Sequence, residues 1–83
     1  MNLSEYEMKR IFACNLIFLR KSRKYKLSQK ALARLLNISK YRIQNYELCR
    51  AYLNAYDIKL IANYFSCSMD KLLTIKLYER KGT

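Results

Sequence analysis

At 83 residues the chain is one domain near the small end of what folds alone, so most of it must serve one core and no room remains for a separate sensor or catalytic domain. Apolar residues make up 52%, Pro is absent and Gly82 is the one glycine, which favours an all-α globular fold over a disordered basic tail. Seventeen Lys and Arg against six Asp and Glu leave a net charge of +11, a surface that attracts polyanions, nucleic acid first and an anionic membrane second.

That charge is concentrated. Between Arg20 and Arg50 stand ten basic residues and a single acid, Glu47, so the middle of the chain carries +9 of the +11. Cys14, Cys49 and Cys67 are odd in number, far apart and without any His, a pattern that suits neither a disulfide framework nor a zinc site; free thiols in a reducing cytoplasm are expected. An enzyme is not expected, because the chain has no His, no phosphate-cradling glycine loop and no nucleophile beside a base, and no cofactor is called for. The opening "MNLSEYEMKR" lacks the apolar core of a signal peptide, and the longest apolar stretch, Ile11 to Leu19, is interrupted by Asn15 and far short of a membrane span.

From the N-terminus, Ser4 and Glu7 form a capping box, and Met8, Ile11, Phe12, Leu16 and Leu19 recur at helical spacing, which predicts a first helix from about Ser4 to Arg23. The run "RKSRKYK", Arg20 to Lys26, gathers five like charges around Tyr25 and is expected to fray the helix end into a basic connection. The plainer reading is that cations near a helix C-terminus simply suit its dipole. Ser28 is a good N-cap, and Ala31, Leu32, Leu35 and Leu36 make the apolar face of a short second helix ending near Asn37. Asn37 tolerates a left-handed conformation and can turn the chain; Ile38 is then buried in the turn, and Ser39 caps a third helix whose Ile43 and Tyr46 point inward. Two capped helices joined by about three residues have helix-turn-helix geometry.

"LCRAYL", Leu48 to Leu53, has no clean period and reads as a loop. Asn54 with Asp57 is a capping pair, and Ile58, Ile61, Ala62 and Phe65 give the stripe of a fourth helix. Asp57 and Asp70 read as helix N-terminal charges. Ser66 breaks the fourth helix, Ser68 caps a fifth, and Met69, Leu72 and Leu73 face the core. "TIKLYERK", Thr74 to Lys81, can continue that helix, with Ile75, Leu77 and Tyr78 exposed or packed on another element.

The third helix carries the functional question. At 100° per residue from Lys40, Ile43, Tyr46 and Glu47 fall between about 240° and 340°, while Lys40, Gln44, Leu48, Tyr41 and Asn45 fall between about 0° and 140°, with Arg42 at the boundary. One face packs; the other presents long or amide-bearing side chains. An α-helix fits the major groove of B-DNA, where Asn or Gln can bond adenine and Lys or Arg can bond guanine, so Lys40, Tyr41, Gln44 and Asn45 are the candidate base contacts. Phosphate contacts set the register of such reading. Gln29, Ser39 and Asn54 sit where helix N-terminal amides could meet phosphates, and Lys30, Arg42, Arg50 and Tyr52 lie near enough to add charge or a hydroxyl. Each of these alone reads as an ordinary surface residue; the +9 field around them makes phosphate binding the better reading of the set.

The same residues resemble a family. "LSQKALARLLNISKYRIQNYE", Leu27 to Glu47, is similar to the Cro/repressor (XRE-type, lambda-repressor-like) helix-turn-helix family, and "IKLIANYFSCSMDKLL", Ile58 to Leu73, to its fourth and fifth helices, the likeness covering about 17–73 with 74–83 as a C-terminal extension or tail. The motif elements are Gln29, the small Ala33 where the two helices touch, Ile38, Ser39, Ile43 and the Tyr46-Glu47 pair. The resemblance implies a compact five-helix domain that binds double-stranded DNA as a homodimer on a two-fold operator and regulates transcription, more often as a repressor. It further implies base contacts by Lys40, Tyr41 and Asn45, with Gln44 in addition, phosphate contacts by Gln29 and Ser39, and pairing of Glu47 with a first-helix Arg. Arg20 is the candidate for that pairing, across a connection longer than the family's usual one. Asn37 replaces the usual turn glycine, and Cys49 and Leu53 stand where Gly and Pro are common, so a differently shaped loop before the fourth helix is expected.

Two other functions compete. The same fold could serve as a protein-interaction module or antitoxin-like partner with little sequence-specific DNA binding, which mobility shifts with random and genomic fragments would separate. A membrane-surface peptide is disfavoured because the apolar stripes of several helices need one another to be buried. For the homodimer, the surface expected is the fifth helix and the tail around Ile75, Leu77 and Tyr78; the competing placement folds Ile75 and Tyr78 back onto the first helix.

Overall fold

The first helix begins where its cap dictates. Ser4 Oγ accepts from the Glu7 N–H at 3.0 Å and the Ser4 N–H donates to Glu7 Oε1 at 2.8 Å, the reciprocal capping box, and those bonds, the backbone one foremost, hold the Glu7 carboxyl below its usual range. The computed structural model describes residues 2–79, in which α1 (Glu5–Lys21), α2 (Gln29–Leu36), α3 (Lys40–Glu47), α4 (Ala55–Tyr64) and α5 (Met69–Thr74) are followed by one 3₁₀ turn, Leu77–Glu79. This is an all-α, five-helix, lambda-repressor-like fold, with no strand among the described residues.

α1 stops at Lys21, short of the expected Arg23, because Ser22 closes it: its N–H and its hydroxyl both donate to the Leu19 carbonyl, at 3.2 and 2.8 Å. Arg20, the first residue of the basic run, lies inside the helix and is buried. The connection that follows is tied down by Tyr25, whose ring meets Phe65 edge-on at 4.8 Å and Tyr64 at 5.6 Å. Ser28, Ser39, Asn54 and Ser68 then cap α2 to α5, each side-chain oxygen accepting an N–H three residues on at 3.0 to 3.1 Å.

The helices end without glycine. Asn37, Cys49 and Ser66, just past α2, α3 and α4, and Lys26 before α2 all take left-handed backbone, with φ between 48° and 60°. Asn accepts this readily; Lys, Cys and Ser do so at a cost of roughly 1–2 kcal/mol each, which tertiary packing must offset. At Cys49 the chain takes the left-handed corner that a glycine would supply more cheaply.

One core gathers Phe12 and Leu16 of α1, Leu32, Ala33 and Leu36 of α2, Ile38 of the turn that follows, Ile43 and Tyr46 of α3, Ile58, Ile61 and Ala62 of α4 with its C-cap Phe65, and Leu72 of α5. α1 lies behind the sequence-adjacent pair, packing on α3 and α5, while α2 packs on α3 and α4. Leu35, expected on the inner face of α2, is 56% exposed: the buried arc is centred on Leu32, Ala33 and Leu36, and Leu35 falls about 110° away from that centre.

The C-terminal expectation also changes. α5 does not continue through Lys81; it ends at Thr74, Ile75 is extended, and Leu77 turns back onto α1 and is buried. Arg80 and Lys81, the end of that predicted extension, lie outside the described residues. The cause is Asn15, fully buried on α1, whose amide donates to the carbonyls of Leu72 at 2.9 Å and Ile75 at 2.7 Å and accepts the Leu77 N–H at 2.9 Å. The three side-chain hydrogen bonds that tie the reversal to α1 are thus supplied by a residue that looked like a mere interruption in an apolar run. All three cysteines are free, burial pushes the Cys67 thiol up, and no helix among the described residues is long and apolar enough to cross a membrane.

Candidate nucleic-acid interface

The α2–α3 corner is built by short-range chemistry. Left-handed Asn37 lets its own N–H reach the Arg34 carbonyl at 3.3 Å and the Ile38 N–H reach Ala33 at 3.0 Å, and Ile38 drops into the core while Ser39 restarts the helix. On α3, Ile43 and Tyr46 are buried, and Lys40, Tyr41, Arg42 and Gln44 are exposed, Tyr41 at 71%. Asn45 is half-buried at the edge of that row. The outward face is therefore the one the sequence placed there, with Leu48 also exposed at its far end.

Two ion pairs, one buried and one with a buried carboxylate and an exposed guanidinium, fix α3 in place. Glu47, at its last turn, receives Arg20 in a fork, Nε to Oε2 at 2.7 Å and NH2 to Oε1 at 2.9 Å, with both side chains under 10% exposed. The longer connection accommodates this because Arg20 NH1 also takes the Leu27 carbonyl at 3.0 Å, tying the connection's end to α1. Gln29, at the start of α2, donates its side-chain amide to Glu47 Oε1 at 2.8 Å, so one carboxylate joins α1, α2 and α3. The second pair is Asp57 of α4, only 2% exposed, which accepts from both the Arg42 guanidinium and the Tyr46 hydroxyl. Burial first, then the Asp57 carboxylate, push the Tyr46 phenol up to about 12, and the same carboxylate raises Arg42 further above its ordinary value.

The predicted phosphate residues lie on two flanks of this row along the chain. Gln29 and Lys30 open α2, Gln29 half-buried and Lys30 exposed, and the N–H groups of that first turn other than the one capped by Ser28 are open. On the other flank, Arg50 and Tyr52 are exposed in the loop and Asn54 caps α4 with its amide nitrogen pointing away from that bond. Ser39 lies between, exposed, its oxygen engaged with the Arg42 N–H. Arg42 is the one candidate whose charge is already partnered. Of the ten cations between Arg20 and Arg50, the remaining eight, Arg20 and Arg42 aside, are exposed and make no ion pair among the described residues. The positive charge of the middle of the chain therefore stays on the surface after folding, before, within and after the exposed row of α3 in sequence.

Sequence reasoning missed three participants. Asp57 is spaced four residues from Ile61 on the buried stripe, and Asn15 three from Phe12 and four from Ile11; in each the helical phase was the available signal, outweighed by the residue's polarity. Lys9, whose Nζ lies 5.0 Å over the Tyr52 ring, has no such local signal, since its partner is in a distant loop.

A capped helix pair with an exposed polar row on its second helix, backed by a buried brace and surrounded by cations, is a helix-turn-helix DNA-binding unit. A helix-turn-helix family model matches residues 18–72, and the chain belongs to this Cro/XRE-type family of DNA-binding regulators. No curated protein and no solved structure matches it.

Proposed function

We propose that this chain is a sequence-specific transcriptional regulator, a repressor, that binds a roughly palindromic operator as a homodimer in the cytoplasm. The observation that carries the reading is the row of exposed Lys40, Tyr41 and Gln44 with half-buried Asn45 on a helix whose other face is locked in the core, with seven further exposed cations in the flanking sequence. Lys40, Tyr41 and Asn45 read base edges and Gln44 adds a contact, while Gln29, Lys30, Ser39, Arg42, Arg50, Tyr52 and Asn54 hold phosphates. Two α3 helices about 34 Å apart would enter successive major grooves on one side of the duplex. For the dimer contact, Ile75 is exposed and borders an open groove with Leu3 and Met8, so it stays in the proposed surface; Leu77 is buried on α1 and Tyr78 half-buried, which shifts that surface toward the end of α5. Three free thiols suit a reducing compartment.

Selection of bound fragments from a random-sequence duplex library, followed by footprinting, tests this. A two-fold symmetric motif protected on one face of the DNA is the expected result. Binding with no recoverable motif, or a monomer with an asymmetric footprint, would refute sequence-specific dimeric binding and favour the protein-interaction reading.

A further inference from the structure

Asp57 does more than satisfy a buried hydroxyl. It is one of six acids in a strongly basic chain, it is 2% exposed, and yet the Arg42 side chain that it grips is 50% exposed. Its place is set from three sides: its N–H is held by Asn54 Oδ1 at 3.0 Å, its carboxylate by the Tyr46 hydroxyl, and Tyr46 itself by the core, its ring 5.4 Å from Phe12 in an edge-on contact. A carboxylate so fixed offers Arg42 a single docking point. Only one guanidinium nitrogen, NH2, is engaged there, and a guanidinium carries five N–H donors in a rigid planar fork.

We propose that Asp57 is the positioning residue for Arg42: it grips one edge of the guanidinium from the first turn of α4 and leaves the other edge facing the DNA backbone, so that one arginine joins α4, α3 and a phosphate. The inference rests on the DNA-binding reading above. Lysine could not replace Arg42, since an ammonium is a point charge and lacks the two-edged fork needed to span carboxylate and phosphate together. If Asp57 instead merely offset the charge of Arg42, removing it would add a free cation to the interface and tighten binding.

Fluorescence anisotropy with a labelled mixed-sequence duplex across a salt series separates these. Wild type, Asp57→Asn, Arg42→Gln, Arg42→Lys and the Asp57→Asn/Arg42→Gln double variant are compared, with circular dichroism to confirm folding. Asp57→Asn is expected to bind about tenfold more weakly, with a salt slope lower by about 0.9, Arg42→Gln to match it, and the double variant to be no weaker than Arg42→Gln. Arg42→Lys, at an exposed position that leaves the core intact, should lose as much as Arg42→Gln, and it carries the test if Asp57→Asn does not fold. Wild-type affinity in Arg42→Lys, tighter binding by Asp57→Asn, or additive losses in the double variant would each overturn the positioning role while leaving DNA binding intact. Absence of salt-dependent binding by the wild type would overturn the DNA-binding reading itself.

Discussion

Arg20→Met removes the cation from the most heavily shared carboxylate in the molecule. In the wild type Glu47 receives two guanidinium bonds of 2.7 and 2.9 Å and one amide bond of 2.8 Å, with side-chain exposures of 8% for Arg20 and 5% for Glu47. After the substitution the carboxylate stays buried with Gln29 alone, and the Leu27 carbonyl loses its donor. Breaking a buried pair by removing one partner costs about 3–5 kcal/mol, whereas a chain of this length has a total stability of about 4–12 kcal/mol. Urea denaturation followed by circular dichroism should therefore show the midpoint falling by about 3–5 M, at a slope near 1 kcal/mol per M, with the slope itself unchanged. The double variant Arg20→Met/Glu47→Leu should regain most of that loss, because it removes both charges instead of stranding one, and half-buried Gln29 can turn to water. A loss below about 1 kcal/mol in Arg20→Met, or a double variant no more stable than the single, would refute the claim that this carboxylate is held by charge pairing in a dry site.

Three further outcomes follow from the same geometry. Asn45→Ala should cost about 1–3 kcal/mol mainly on the selected site, whereas Arg50→Ala should weaken all sequences and lower the salt slope by about 1; an unchanged sequence preference in Asn45→Ala would show that the reading register on α3 is misplaced. Asn15→Leu removes three hydrogen bonds at the C-terminal reversal and leaves the Leu77 N–H only its 2.9 Å bond to the Ile75 carbonyl, so a loss of about 3 kcal/mol is expected, with faster hydrogen exchange at the Leu77 amide; unchanged exchange there would mean that the tail is held without the Asn15 side chain. Because the Tyr46 phenol is raised from 10.0 to about 12 in the folded state, its contribution is fully present below pH 10 and is lost as pH rises toward 12, so the urea midpoint of the wild type should fall more steeply over that window than that of Tyr46→Phe. Parallel declines in the two proteins would rule out a role for that phenol.

What could be read from the chain alone is whatever neighbours within one helical turn decide. Ser4, Ser28, Ser39, Asn54 and Ser68 cap their helices because each bond spans three residues, and Asn37 turns left-handed for reasons contained in its own side chain. The apolar spacing of Ile43 and Tyr46 likewise settled which side of α3 faces outward. The errors and omissions lie where partners are far apart along the chain. Asn15 meets backbone 57 to 62 residues away, and Asp57 meets Tyr46 and Arg42 across 11 and 15; Arg20 meets Glu47 across 27, a pairing that only the family resemblance had suggested. A buried polar residue and an exposed one look alike until packing removes the water around one of them, and only then must it find a specific partner. Thus Asp57 changed from a dipole charge into an anchor, and Leu77 from an expected dimer contact into a buried residue. The reading row of α3 is written in its local sequence; the brace that holds it at a fixed attitude exists only in the folded chain.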